Sequence, residues 1–297
     1  MRQRVNRAIA LLASGQPIYY VGEHTGHMLT YEQGRQDAAT WADYVNVGME
    51  HGAFDMTGLA AYMQGLVEGG PAGSGHRTPA IIVEVPADGS SESVIRNNAW
   101  QFRQILARGV HGIVLCMAES ADATRAFVES CRYPTSTIGV GRGLRVGRRG
   151  RGSEPEAAAI WGVNHETYID LADPWPLNPS GELLLGVKIE SLEGISNVEQ
   201  ILSVPGLGFA EMGPGDLGLA MGYKRIPQEP FPADMQRARD RVFRACRANG
   251  VAFLESCTAA TVIEKIDSGV RVIAGANEEM AKEGRTYTRR AMPVWSA

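Results

Sequence analysis

Eight short apolar runs recur along the chain: IYYVG (18–22), YVNVGME (44–50), AIIVEV (80–85), GIVLCM (112–117), LLLGVKIE (183–190), LGFAEMG (207–213), VAFLES (251–256) and VRVIAGA (270–276). Several are continuous rather than alternating, the pattern of strands covered on both faces. Between them lie amphipathic stretches with helical spacing. Ser91 to Arg108 opens on a capping serine, Ala233 to Ala248 is a second, and Thr258 to Ser268 stops at Gly269. This alternation predicts an α/β fold, a (β/α)₈ TIM barrel forming a single domain over residues 1–297. An open doubly wound sheet answers the same alternation. No GxGxxG follows the first run, however, which weakens a dinucleotide-binding version.

Two segments interrupt the rhythm. Residues 23–40, EHTGHMLTYEQGRQDAAT, read as a polar loop in place of the first helix. Residues 142–180, from RGLRVGRRGRG to DPWPLNPS, read as a longer irregular insertion. Loops of this length in a compact domain are usually functional or mobile. The opening MRQRVNRAIALLASGQP superficially resembles a signal peptide, but its apolar run is short, and an amphipathic helix ending at Gly15 is the reading adopted.

Composition narrows the classes. The chain has 297 residues, 44% of them hydrophobic, enough for a large core, and no apolar run is long enough to span a bilayer. A formal charge of −4 offers no overall attraction to nucleic acid or anionic membranes. Four cysteines without CxxC spacing indicate neither a zinc site nor a disulfide framework, so a reduced, cytoplasmic protein is expected.

In a barrel, chemistry gathers where strands end at their C-terminal side. There the chain places Glu50 and His51, Glu190 and Ser191, and Asp216 in GPGDLG. Glu190 and Asp216 end adjacent strands, and converging carboxylates suit a hard divalent cation. Gly213, Pro214 and Gly215 let the backbone turn sharply and leave room for a ligand. Asp216 has a structural alternative, capping a helix that starts at Leu217, and His51 could simply be a solvated histidine. Cys116 and Cys257 read as small core residues. The five arginines between Arg142 and Arg151 read as a solvated loop or as contacts to an anionic substrate, and a metal role for His24 and His27 is not favoured. Lys188 is the anomaly. It points to the same face as Glu190, inside a run that should be core.

VKIESLEGISNVEQILSVPGLGFAEMGPGDLGLAMGY (187–223) resembles the signature half of the HpcH/HpaI aldolases, class II metal-dependent pyruvate aldolases related to the citrate lyase β subunit and macrophomate synthase. Weaker similarity runs from about residue 43, through MEHGAFD and the RYP at 132–134, to the last strand. The resemblance implies a phosphoenolpyruvate/pyruvate-domain-like barrel assembled as a homohexamer or trimer of dimers. It implies Glu190 and Asp216 as metal ligands and His51 as general base. It also implies an arginine for the pyruvate carboxylate after the third strand, where EVP places Val85, and an aspartate partner for the histidine, where Ala107 stands. Glutamine is usual where Lys188 stands.

The expected activity is carbon–carbon cleavage or condensation of a 2-oxo acid with an aldehyde, through an enolate stabilised by Mg²⁺, Mn²⁺ or Co²⁺. Lys188 would supply part of the charge of the missing arginine, or else form a structural ion pair with Glu190 or Glu84. Val85 would offer the substrate an apolar surface. Alternatives are a metal-dependent lyase, hydratase or decarboxylase for a bulkier substrate, and a ligand-binding barrel without turnover.

Overall fold

The computed structural model describes residues 4–290, so the outermost residues of the expected 1–297 domain lie outside the described part. Nine parallel strands form one sheet: β1 (Ile18–Glu23), β2 (Tyr44–Gly48), β3 (Ala80–Asp88), β4 (Gly112–Cys116), β5 (Pro174–Trp175), β6 (Leu183–Ile189), β7 (Phe209–Met212), β8 (Ala252–Ser256) and β9 (Val270–Ala274). β1 pairs with both β2 and β9, and β4 pairs with β6, so eight strands close a barrel while β5 adds a two-residue flank to β6. Every apolar run singled out in the sequence is one of these eight strands.

Alternation along each strand sorts side chains into two layers. Ile81, Val83 and Val85 pack outward against the helices, whereas Ala80 and Ile82 join Ile18, Tyr20, Tyr44, Val114, Leu184, Phe209, Leu254 and Val272 inside the barrel. Gly186 makes that filling possible, because a Cβ there would lie 2.5 Å from the Phe209 ring. The helix Arg7–Ala13 plugs the N-terminal end with Ala8, Ile9 and Leu11; its first turn is capped by the Asn6 side chain. The opposite end is left for chemistry.

Other helices begin and end where their caps dictate. Ser91 Oγ accepts from Val94 N–H at the start of Glu92–Ala107. Val262–Ser268 closes on Gly269 at φ +113°. Two expectations need correction. Residues 23–40 contain the helix Tyr31–Asp37, capped by Thr30 with Glu32 in its first turn. Residues 142–180 contain helices Glu154–Trp161 and His165–Leu171 as well as β5. The polar composition of the first stretch masks its helix, while residues 142–153 of the second remain irregular. Arg149, one of the five clustered arginines, is buried between the rings of Tyr133 and Tyr168 and donates to the Tyr168 hydroxyl at 2.7 Å. Arg132 of RYP forms a buried, two-pronged pair with Asp173.

Candidate active site

A cavity of about 860 Å³ opens at the C-terminal rim of the barrel, lined among others by His24, His51, Lys188, Glu190, Glu211 and Asp216. Gly213, Pro214 and Gly215 form part of its wall. Val85 does not line it. Its side chain is wholly buried in the outer layer, and the residue of that strand facing the lumen is Glu84. The substrate-contact role expected for Val85 is therefore corrected: strand parity turns it away.

Glu190, at the end of β6, is 1% exposed. Its Oε1 accepts from the Met117 N–H at 2.8 Å, and its Oε2 lies 3.1 Å from Lys188 Nζ. Burial raises its pKa, opposed by the Lys188 ammonium and the Met117 N–H. Gly213 is a cradle for this carboxylate, since a Cβ there would sit 2.3 Å from Oε2. Lys188 also donates to Glu50 Oε2 at 2.5 Å. Burial works against its charge, but the surrounding carboxyl groups, Glu190, Glu211 and Glu84, outweigh this and hold its pKa above the ordinary value. The ammonium is thus bridged between two carboxylates, Glu50 and Glu190.

Asp216 sits inside the first turn of the helix Pro214–Ala220 and makes no capping hydrogen bond, so the capping alternative does not describe it. Its Oδ2 is 4.0 Å from His51 Nε2, which is 3.6 Å from Glu50 Oε2. Glu50 is the link: potential ligand atoms of Glu50, His51 and Asp216 lie within 4.8 Å of one another, as do those of Glu50, Cys116 and Glu190. Glu50 is common to both groups, one with Asp216 and the other with Glu190. In the first group Glu50 and Asp216 offer carboxylate oxygens that suit a divalent cation at the open mouth, with His51 Nε2 beside them. The second suits one less well, because burial pushes the Cys116 thiol up and keeps it protonated. With the Glu190 cradle beside it, the donor set fits a hard metal ion.

Deeper in the lumen, Glu84 accepts from His24 Nδ1 at 2.8 and 2.9 Å. Burial would raise the Glu84 pKa, but the His24 hydrogen bond and charge overcome it and hold the carboxyl below the usual range. The same bond lifts His24 to about 9 against the opposing effect of burial. Glu211, paired in register with Lys188, is pushed up to about 7 by burial despite that ammonium. Glu211 was assigned no role from the sequence and could have been flagged as a charge in an apolar strand, as Lys188 was; Glu84 entered only as a possible partner of Lys188, and its partner is His24. His27 is bound elsewhere, to Asp37 at 2.8 Å.

A closed parallel barrel with acidic donors and a histidine at its C-terminal mouth defines a class in which oxygen-rich metal sites are built on strand ends. The chain belongs to the HpcH/HpaI aldolase/citrate lyase family, which residues 77–277 match. It is 31% identical over 166 residues to the 2-keto-3-deoxy-L-rhamnonate aldolase of Klebsiella pneumoniae, covering 55% of this chain and 54% of that one. It is 29% identical over 203 residues to the 4-hydroxy-2-oxo-heptane-1,7-dioate aldolase of Salmonella typhimurium, covering 67% and 70%. The match thus spans about half the length of the first relative and more of the second. In fold it is similar to a HpcH/HpaI family protein of Burkholderia cenocepacia, with TM-score 0.67, 21% identity and 92% and 93% of the two chains covered. Macrophomate synthase follows at TM-score 0.66 and 20% identity, covering 96% and 89%. A citrate lyase β subunit from M. tuberculosis, complexed with oxaloacetate and magnesium, shares the fold at TM-score 0.51 and 13% identity, covering 93% and 98%. No helix among the described residues is long and apolar enough to cross a membrane.

Proposed function

We propose that the protein is a metal-dependent carbon–carbon lyase of the class II aldolase type, which cleaves or forms a 2-oxo acid by exchange with an aldehyde. The observation that carries this is the gathering of Glu50, His51 and Asp216 donor atoms within 4.8 Å beside the buried Glu190. The aldolase names of the relatives support it. A divalent cation held by Glu190 and Asp216, with Glu50 within reach, supplies Lewis-acid polarisation of the 2-oxo acid oxygens when bound. His51 Nε2 takes the proton of the aldol hydroxyl as the carbon–carbon bond breaks. The bond's electron pair passes into the neighbouring carbonyl, and the aldehyde leaves. Lys188 holds Glu50 and Glu190 in place through its ammonium. Gly213, Pro214 and Gly215 shape the wall against which the substrate lies.

Mg²⁺, Mn²⁺ or Co²⁺ as the metal, a homohexamer or trimer of dimers, and a cytoplasmic setting complete the proposal. Leu219 and Ile226, 63% and 60% exposed, stand on the cavity wall and favour a bulkier or less polar aldehyde partner. The test is incubation with pyruvate and Mg²⁺, Mn²⁺ or Co²⁺ in D₂O, following the methyl signal by NMR. Exchange that EDTA abolishes is expected. Bound metal without exchange would turn the assignment toward another lyase, a hydratase or a decarboxylase. Failure to bind any of the three metals would leave a ligand-binding barrel.

A further inference from the structure

His24 stands at the end of β1 with its two ring nitrogens in different surroundings. Nδ1 faces the buried Glu84 and is within hydrogen-bonding distance of both its oxygens. The ring borders the cavity, its side chain is 42% exposed, and no hydrogen bond among the described residues holds Nε2. The other cations of the cavity are differently placed. Lys188 is bridged between Glu50 and Glu190, and Lys224 lies exposed at the wall. His24 is therefore the cavity's positioned cationic donor with a free N–H.

We propose that His24 Nε2–H receives a carboxylate of the substrate, with Glu84 as its positioning residue, so that the cavity selects acids over uncharged carbonyl compounds. This rests on the 2-oxo acid reading above and goes beyond it by naming the anionic anchor. The Glu84 bond raises His24 to about 9, which keeps the ring charged near neutrality. A charge-assisted hydrogen bond of this kind fixes orientation as well as affinity. The carboxylate is either the one adjoining the keto group or a second one at the far end of the aldehyde half.

His24→Gln separates these two sources. Calorimetry with pyruvate on the metal-loaded protein, and the KM for deuterium exchange, report the first. Condensation of pyruvate with an ω-carboxylated aldehyde against an uncharged aldehyde of equal length reports the second. A loss of roughly ten- to a hundredfold is expected in one of the two, carried by KM with kcat nearly unchanged. His24→Gln leaves Glu84 without its partner, so the double variant His24→Gln, Glu84→Gln is measured alongside. Persistence of the loss there assigns it to the missing cation, whereas recovery of wild-type values overturns the proposal. No change in either measurement overturns it as well. Should the wild-type protein fail to exchange pyruvate at all, the pyruvate-aldolase reading falls but the anchor remains testable. Titration with succinate, followed by the imidazole ¹⁵N signals of His24, must then move Nε2, and a static signal sinks the inference.

Discussion

Gly213→Ala isolates the placement of a single carboxylate. The backbone at Gly213 has φ −71° and ψ 100°, which alanine adopts without strain, so the added methyl acts only through contact. That methyl would lie 2.3 Å from Glu190 Oε2 and 2.8 Å from its Cβ. Reaching ordinary contact requires the carboxylate to retreat by about 1 Å. It is tied at 2.8 Å to the Met117 N–H and at 3.1 Å to Lys188, so such a retreat breaks at least one of these bonds. Losing a hydrogen bond to a charged, buried group costs about 1.5–3 kcal/mol. A ligand misplaced by ~1 Å lowers turnover on the order of a hundredfold. Urea unfolding measures the first effect; Mn²⁺ binding by electron paramagnetic resonance and pyruvate exchange measure the second. Wild-type Mn²⁺ affinity and exchange rate in the variant would show that Glu190 does not hold the metal from this position.

Three other perturbations have defined outcomes. Lys188→Gln leaves Glu50 and Glu190 facing each other without the ammonium, and should destabilise the fold by about 3–5 kcal/mol in urea unfolding. A change below ~1 kcal/mol would mean that the bridge contributes little. His51→Gln should lower kcat on the order of 10²- to 10⁴-fold, with the unfolding free energy shifted by less than ~0.5 kcal/mol, because the ring is half exposed; an unchanged kcat rules it out as the base. His76 and His111 are held neutral by burial, down to about 4 and about 3. Below about pH 6.5 the unfolded chain therefore binds the extra protons, and stability falls with pH by up to ~1.4 kcal/mol per unit for each ring. The fall continues down to the folded values, and His76→Gln should flatten the slope in urea titrations between pH 6.5 and 4.

The barrel was legible because its strands are buried on both faces and read as uninterrupted apolar runs. The helix Tyr31–Asp37 was not, since YEQGRQD carries no apolar stripe; it is held by packing of Gly34 on the helix Met56–Gly69 and by the Tyr62 hydroxyl on Asp37, contacts only the fold creates. At the site, His51, Glu190 and Asp216 could be found from strand ends alone. Of the two partners of Lys188, Glu190 could be named as well, but Glu50 could not. Glu50 lies 138 positions away, and closure of the barrel decides that the two meet. The Val85 expectation failed on parity. In AIIVEV the buried inward residues are Ala80 and Ile82, which puts Glu84 inside and Val85 outside, but a run that is apolar on both faces does not reveal its own phase.

The inward positions of the barrel change character within one step along several strands. On β3 the lumen passes from Ile82 to Glu84, on β7 from Phe209 to Glu211, and on β6 from Leu184, across Gly186, to Lys188. Below that line lies the packing that holds the strands together; above it, these three strands turn charged side chains inward. Evolution can therefore redraw the reaction at the upper tier while inheriting the lower one intact. For a protein engineer the same boundary marks where to diversify: the inward residues at and above Glu84, Lys188 and Glu211, leaving the tier beneath them alone.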